Sequence, residues 1–378
     1  MLAGMARFQT THTGSLPRPE ALTDQLHDRE DGKPTPHLDE QVRDAVEDAV
    51  QRQVEAGVSV VNDGEMGKIG YSTYVTQRLS GFSRVTEPTR RALPDLADYP
   101  DLDAYRRPLF TNNLRYAWTS VCTGDVQSRG TAAVDADIAT LKAAATRAGA
   151  EQVFMSAASP GVVAFFIPDQ HYGNRAAYIG AIAEAMRPEY RAIVDAGVIL
   201  QLDCPDLAMA GSRFDNVADF RSVVAENVEA LNHALQGLPE DRLRIHICWG
   251  NYEGPHTRDV ELRNIVDLVL QAHVAGISLE ACNPRHAHEW RVFESVKLPE
   301  GRYVVPGVID STCNFVEHPD LIAERLLNYA SVVGAERVVA GSDCGFGTFA
   351  GVSNVAPSVV WAKFRAMAEG VRRAAERV

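Results

Sequence analysis

The sequence predicts an α/β fold and, within that class, a single (β/α)8 TIM barrel spanning residues 1–378. Three observations lead there. Short β-branched or apolar runs alternate with longer segments of helical periodicity, eight times along the chain. Four glycines, Gly57, Gly197, Gly276 and Gly334, stand just before the next run, where a left-handed residue past a helix C-terminus is expected. No Gly/Ser or Pro tract divides the 378 residues, and eight units of about 47 residues each suit a barrel with insertions better than a doubly wound sheet. An open eight-stranded sheet is the structural alternative.

The strands are read in order from their apolar runs. They fall at Arg7–Thr13, Val58–Asp63, Gln152–Ser156, Val198–Asp203, Leu243–Cys248, Ile277–Glu280, Tyr303–Val308 and Arg337–Gly341. Helical periodicity places helices between them at Leu38–Ala56, Ala176–Ala196, Val217–Leu235, Leu262–Ala275, Ala287–Val296 and Leu321–Val333, with a last one near Pro357–Val378. The surplus length lies between strands two and three. There 67–132 is Tyr/Pro/Arg-rich loop sequence with an expected hairpin around Leu114–Val126, and the helix Val134–Ala148 follows.

Composition bounds the function. With 46% hydrophobic and 23% charged residues the chain can bury a large core, which excludes disordered and collagen-like classes. A net charge of −13 argues against nucleic-acid or anionic-membrane binding, which needs clustered positive charge. No apolar run approaches the ~20 residues of a membrane span, and the first residues lack a charged segment followed by an apolar core. A cytoplasmic enzyme acting on a small molecule is expected, and a homo-oligomer is compatible with it. Six cysteines in such a chain are metal ligands, a nucleophile or buried packing rather than a disulfide framework.

In a barrel the C-terminal strand ends carry the active site. Those ends are Thr11, His12, Gly14 and Ser15; Asp63 and Glu65; Ser156 and Ser159; Asp203; His246 and Cys248; Glu280; Asp310; and Asp343 with Cys344. The sharpest element is His246-Ile247-Cys248, because residues i and i+2 of a strand share a face. A soft imidazole–thiolate pair suits zinc. Alone it reads more readily as a buried His beside a structural Cys. Together with Glu280 and Cys344 at the same end of the barrel, it favours a zinc site with ligands His246, Cys248, Glu280 and Cys344. Cys122, Cys204, Cys282 and Cys313 are left as packing or loop residues.

Several segments resemble a known family. TTHTGSLPRP (10–19), VNDGEMGKIGYSTYVTQRLSGF (61–82), LQLDCP (200–205), HICWGNYEGPH (246–256), ISLEACNP (277–284), GVIDSTCNFVEHP (307–319) and GSDCGFG (341–347) are similar to the catalytic barrel of cobalamin-independent methionine synthase. They resemble still more its single-barrel relatives, including the epoxyalkane:coenzyme M transferases. The resemblance implies a barrel whose zinc activates a thiol for alkyl transfer, with His246, Cys248, Glu280 and Cys344 at the ligand positions. It implies that Ser15, Glu65 and Asp203 hold an amino-acid thiol, Ser15 at the carboxylate and the two acids at the ammonium. The plain alternatives are a turn residue for Ser15 and caps or ion pairs for the acids. Glu280, Asp310 and Asp343 are the acids expected to act in the reaction. Paired acids favour homocysteine over a sulfonate thiol such as coenzyme M, and the alkyl donors considered are a methyl folate or a methylcorrinoid protein.

Two departures bear on the donor. The two-barrel synthases carry an additional N-terminal barrel that helps to bind folate, and this sequence has none. Where the synthases have a His two residues after the Asp of strand seven, Thr312 stands here, and a hydroxyl is a poor general acid near neutrality. His12, His256 and Tyr71 are the substitutes available, unless the donor needs no strong acid. Arg18, Lys68 and Arg78 near the mouth could receive an anionic donor, with surface charge as the alternative.

Overall fold

The computed structural model describes residues 8–85, 94–102 and 120–378. Ten strands are present among them: β1 (Gln9–Thr10), β2 (Val60–Val61), β3 (Phe82–Arg84), β4 (Ser120–Cys122), β5 (Gln152–Ala158), β6 (Ile199–Asp203), β7 (Leu243–Ile247), β8 (Gly276–Leu279), β9 (Tyr303–Ile309) and β10 (Val339–Ser342). Eight of them form one sheet in the order β1-β10-β9-β8-β7-β6-β5-β2, and every pairing is parallel. The end strands of that order meet. Ser59 N donates to Thr10 O at 3.1 Å, and the Ser59 hydroxyl reaches the same carbonyl at 3.0 Å. The sheet is therefore a nearly closed (β/α)8 barrel, and the open-sheet alternative falls.

The strand boundaries differ from the sequence reading where side chains take over the ladder. β2 stops at Val61 because the Gln53 amide pairs the next backbone unit, accepting from Asn62 N at 2.9 Å and donating to Asn62 O at 2.8 Å. The expected start of strand one at Arg7 lies outside the described residues. Long helices sit where periodicity put them, at Leu38–Glu55, Ala132–Ala148, Arg175–Asp195, Val217–Ala234, Pro319–Val333 and Pro357–Ala375. Asn174 and Asn216 begin two of them by accepting from backbone N–H groups of the first turn.

Two expected helices are corrected. Leu262–Ala275 is a 3-10 turn at Leu262–Asn264 and one turn of α-helix at Val266–Val269. Asn232 ends the helical path early, donating to Gln271 O at 2.9 Å and accepting from His273 N at 2.7 Å. Ala287–Val296 is likewise reduced to Glu289–Arg291 and Val292–Ser295. Gly57, Gly197 and Gly334 have φ of 85°, 80° and 94°, as a turn past a helix end requires. Gly276 does not; it opens β8, where a Cβ would come within 2.6 Å of Arg244 Cβ and the Tyr303 ring.

The insertion between β2 and β5 contains an antiparallel hairpin, as expected; among the described residues Ser120–Cys122 pairs with Phe82–Arg84, in register Phe82↔Cys122. Gly81, at φ 87°, turns the chain so that its carbonyl accepts from Thr123 N and Gly124 N at 2.9 and 3.1 Å. Residues 114–119 of the expected hairpin lie outside the described residues. Among the described residues no helix is long and apolar enough to cross a membrane.

Inside the barrel, a polar layer underlies the strand ends. Arg244 is buried over the Phe154 ring at 3.9 Å and donates to Thr11 Oγ1 and His12 O, while Gln201 donates to Thr13 O. These contacts tie β6 and β7 to the turn after β1, so the groups above them share one floor.

Candidate metal centre and its surroundings

His246 is on β7, Cys248 follows it immediately beyond the strand, and Cys344 follows β10. All three are buried, and one donor atom from each lies within 4.8 Å of the others. Alternation along β7 turns Ile247 outward and leaves the imidazole and thiol on one side. The His246 ring is oriented by its Nδ1, 3.1 Å from Ser278 Oγ, the residue opposite it in the β8 register. Its Nε2 is buried and has no hydrogen-bond partner. A desolvated ring nitrogen without a partner is costly, and a metal ion held beside the two sulfurs would satisfy it.

The two thiols interact directly. A hydrogen bond from Cys344 holds Cys248 well below the ordinary thiol range, with His246 adding to the effect. Cys344 is correspondingly pushed up, since it keeps the shared proton against the Cys248 charge. A thiolate is thus already favoured at Cys248, which is the form a metal binds.

Glu280 stands beside this group without belonging to it. Oε1 accepts from Trp249 N at 2.9 Å and Oε2 from Asn283 Nδ2 at 2.6 Å. Burial, then the charges of Cys248 and Asp343, push its carboxyl well up. Asp343 organises the neighbouring loop: Oδ1 accepts from Ala281 N and Cys282 N at 2.8 and 2.7 Å, and Oδ2 from Asn283 N at 2.8 Å. Burial and nearby Asp310 raise it to about 7. Asp310 closes its own loop, accepting from Thr312 N, Thr312 Oγ1 and Cys313 N through Oδ1. Both acids shape loops around the centre through backbone contacts.

Ser15 and Glu65 follow β1 and β2 at the same end of the barrel, and Asp203 ends β6 opposite His246 in the β6–β7 register. Ser15 packs against Gly345, the residue after Cys344, where no Cβ would fit, and its carbonyl accepts from Phe346 N at 2.7 Å. Glu65 is held at φ 56°, a left-handed value rare outside glycine, by Asp63 Oδ1 accepting its N–H at 2.9 Å and Arg18 donating to its carbonyl at 2.8 Å. Its Oε1 accepts from Ser156 Oγ at 2.7 Å, while Oε2 is buried without a partner. Asp203 accepts from Gln201 at 3.0 Å. Burial first, and then the charge of Glu65, raise Asp203 to about 7, so the two acids feel each other. A bound cation would relieve both.

The proposed proton donors separate. His12 is buried against helix Leu38–Glu55, with Nε2 on Gln53 at 2.8 Å, and burial lowers it to about 3. His256 has both nitrogens engaged, by Asp259 at 2.8 Å and Tyr252 O at 3.0 Å. Tyr71 remains near the centre. Its ring packs edge-on to Phe166 and Phe349 at 5.7 and 5.6 Å, and burial together with the charges of Cys248, Cys344 and Asp203 keeps its phenol protonated. The three cations are all committed internally. Arg18 donates to Gly347 O and Glu65 O, Lys68 to Ser156 O over the Tyr74 ring, and Arg78 pairs with Asp137.

Sequence reasoning missed Ser278, Trp249, Asn283 and Asn251. The last links three loops, donating to Gly345 O at 2.7 Å and accepting from Ser311 Oγ at 2.9 Å. Ser278 was within reach of the reading, being two residues before Glu280 and therefore on its face.

Known proteins carry the same arrangement of strands. Residues 120–362 match the family described as the cobalamin-independent synthase, catalytic domain. A methionine synthase of Thermococcus kodakarensis is 24% identical, over 89% of this chain and 86% of its own length. A 2-hydroxypropyl-CoM lyase of Xanthobacter autotrophicus is also 24% identical, over 90% and 84%. The structure of a B12-independent methionine synthase from Shewanella sp. W3-18-1, in complex with selenomethionine, superposes with a TM-score of 0.72 at 22% identity, covering 98% of both chains. An eight-stranded parallel barrel, a buried His/Cys cluster at its strand ends and a family match over most of its length agree: this chain belongs to the cobalamin-independent methionine synthase family, with 2-hydroxypropyl-CoM lyase among its relatives.

Proposed function

We propose that this chain is a zinc-dependent thiol S-methyltransferase, a single catalytic domain over residues 1–378 that methylates homocysteine or a related thiol in methionine formation. The observation that carries the reading is the buried group of His246, Cys248 and Cys344, with His246 Nε2 lacking any other partner. Bound there, zinc would supply a thiol substrate with a stabilised thiolate at neutral pH. His246, Cys248 and Cys344 would hold the ion, and Glu280, beside them with its oxygens on Trp249 N and Asn283 Nδ2, would be the further oxygen ligand on giving up one of those bonds.

The residues around the centre do the rest. Glu65 Oε2 and Asp203 supply negative charge for the substrate ammonium, and Ser15 stands at its carboxylate. Ser278 orients the imidazole, and Tyr71, packed edge-on against Phe166 and Phe349, would limit water beside the sulfurs. In the transfer the substrate sulfur forms the new C–S bond while the bond from the methyl carbon to its carrier breaks, and that electron pair leaves with the carrier. A methyl folate or a methylcorrinoid protein is the donor class. The second reading, alkyl transfer to or from a sulfonate thiol, is favoured by the likeness to 2-hydroxypropyl-CoM lyase.

The test is metal analysis followed by zinc X-ray absorption with thiols added singly. One zinc per chain and one further sulfur in its shell with homocysteine, but none with coenzyme M, support the reading. Absence of near-stoichiometric zinc refutes it, and a sulfur gained only from coenzyme M transfers support to the second reading.

A further inference from the structure

Alkyl transfer to a thiol leaves an electron pair on the atom that carried the carbon. A nitrogen or oxygen atom must then also gain a proton, so a site serving such a donor needs a protonated group near the sulfurs that is not held elsewhere. Most polar groups at the strand ends are held. Thr312 Oγ1 donates to Asp310 Oδ1 at 2.8 Å, and Ser311 Oγ to Asn251 Oδ1 at 2.9 Å. His256 is bound at both ring nitrogens, and His12 meets Gln53 with its ring against Phe154 and Phe364. Glu280 and Asp343 have both oxygens engaged by N–H groups of the loops they order, and Lys68 donates to Ser156 O. Asp203 faces the substrate ammonium in the reading above.

Tyr71 differs from all of these. Residues 69–71 lie along 348–350, the stretch that the chain reaches shortly after Cys344. Tyr71 N donates to Thr348 O at 3.1 Å, Ala350 N donates to Ile69 O at 2.9 Å, and Gly70 pairs with Phe349 so closely that a Cβ would collide with the Phe349 ring. The Tyr71 ring is then caught edge-on between Phe166 and Phe349, which fixes where its hydroxyl points. Asp203, Cys248 and Cys344, at the ends of β6, β7 and β10, all act on that hydroxyl through their charges, so it faces the centre from the mouth side. Among the described residues it has no hydrogen-bond partner. Burial and the same negative charges keep the proton on the phenol.

We propose that Tyr71 is the catalytic acid of the transfer, its phenol giving a proton to the nitrogen or oxygen that the alkyl carbon leaves. The inference rests on the metal–thiol reading above and names the class of donor which that reading leaves open. The substrate sulfur forms the new C–S bond, the carbon–carrier bond breaks with its electron pair going to the carrier atom, and that atom takes the Tyr71 proton. The proton lost by the thiol on binding goes to solvent, which returns one to the phenolate, so the step balances without a further reactant. A methyl group on corrinoid cobalt would not call on Tyr71, because the cobalt leaves with the pair and takes no proton. The donor is therefore a carrier bonded through nitrogen or oxygen.

The test uses full-length, zinc-loaded protein and Tyr71→Phe, which keeps both aromatic contacts, with circular dichroism to verify folding. The acceptor is homocysteine or coenzyme M, whichever enters the zinc shell, and its Kd should be the same in both proteins. Three donor probes are compared: methyltetrahydrofolate, whose nitrogen needs a proton, epoxypropane, whose oxygen needs one, and iodomethane, whose iodide needs none. Turnover of Tyr71→Phe should fall about a hundredfold with the folate or the epoxide and stay within about twofold with iodomethane. An equal loss with iodomethane, or no loss with any probe, overturns the inference. Wild-type protein that uses iodomethane but neither of the other two also overturns it and leaves the thiol reading standing. Wild-type protein that alkylates neither thiol with any probe overturns both.

Discussion

Lys363→Met should destabilise the barrel far more than a typical lysine replacement, and the structure gives the size. Lys363 is fully buried on the helix Pro357–Ala375, with its ammonium 3.0 and 3.1 Å from the two oxygens of Glu317, whose side chain is 6% exposed. It also donates to Phe315 O, and Glu317 Oε1 accepts from Asp310 N at 2.8 Å. Methionine fills the lysine stem but strands a buried carboxylate, at a cost of about 3–5 kcal/mol. At about 2.1 cal/mol/K per residue, a 378-residue chain has an unfolding entropy near 0.8 kcal/mol/K, so the midpoint should fall by roughly 5 °C. Lys363→Met combined with Glu317→Leu removes both charges and leaves mainly Asp310 N without its acceptor, about 1–2 kcal/mol. Urea unfolding of the two single variants and the double gives the cycle. A single-variant loss below about 1 kcal/mol, or a double variant as unstable as the sum of the singles, would refute the argument that an uncompensated charge sets the cost.

Three further outcomes are expected. Ser278→Ala removes the hydroxyl that orients the His246 ring and should weaken zinc affinity about tenfold in a chelator competition, whereas Ser278→Thr, which keeps the hydroxyl, should not. Asp343→Asn turns one of its acceptor oxygens into a donor facing a backbone N–H, and should cost about 2–4 kcal/mol in urea unfolding; an unchanged midpoint would mean that the Ala281–Asn283 loop holds itself. Asp203 is raised from 3.8 to about 7, so the folded chain keeps a proton that the unfolded chain releases. Stability therefore falls as pH rises from about 3.8 to about 7 and levels off above, while affinity for a cationic amino-thiol should rise as Asp203 ionises around pH 7. Calorimetric titration across that range checks the sign, and Asp203→Asn should flatten it.

The parts legible in the sequence are those governed by period and spacing. Alternation along LRIHIC put His246 and Cys248 on one side, and the strand rhythm brought Cys344 to the same end of the barrel. What escaped depends on contacts between distant segments. Ser278 matters because the β7–β8 register sets it opposite His246, and one sequence does not print that register. The helix expected at Leu262–Ala275 has acceptable periodicity, but Asn232, on another helix, supplies its terminator. Arg18 and Lys68 read as mouth cations because charge suggests solvent; both instead donate to backbone carbonyls inside the fold. The hairpin was expected from local sequence, yet the partner of Ser120–Cys122, Phe82–Arg84, lies well upstream within the same insertion.

The short meeting of β1 and β2 divides the barrel into two arcs of unequal stiffness. The sulfur and imidazole donors follow β7 and β10, strands bonded to a neighbour on each side. Ser15 and Glu65 follow the two-residue strands at the seam, where one backbone bond between Thr10 and Ser59 completes the ring. A ligand gripped by its sulfur on one arc and by its amino-acid end on the other would work as a hoop across the join. Occupancy and closure would then be one event, recorded as slower amide exchange at Ser59, and a desamino analogue, anchored on the stiff arc alone, would leave that exchange as it was.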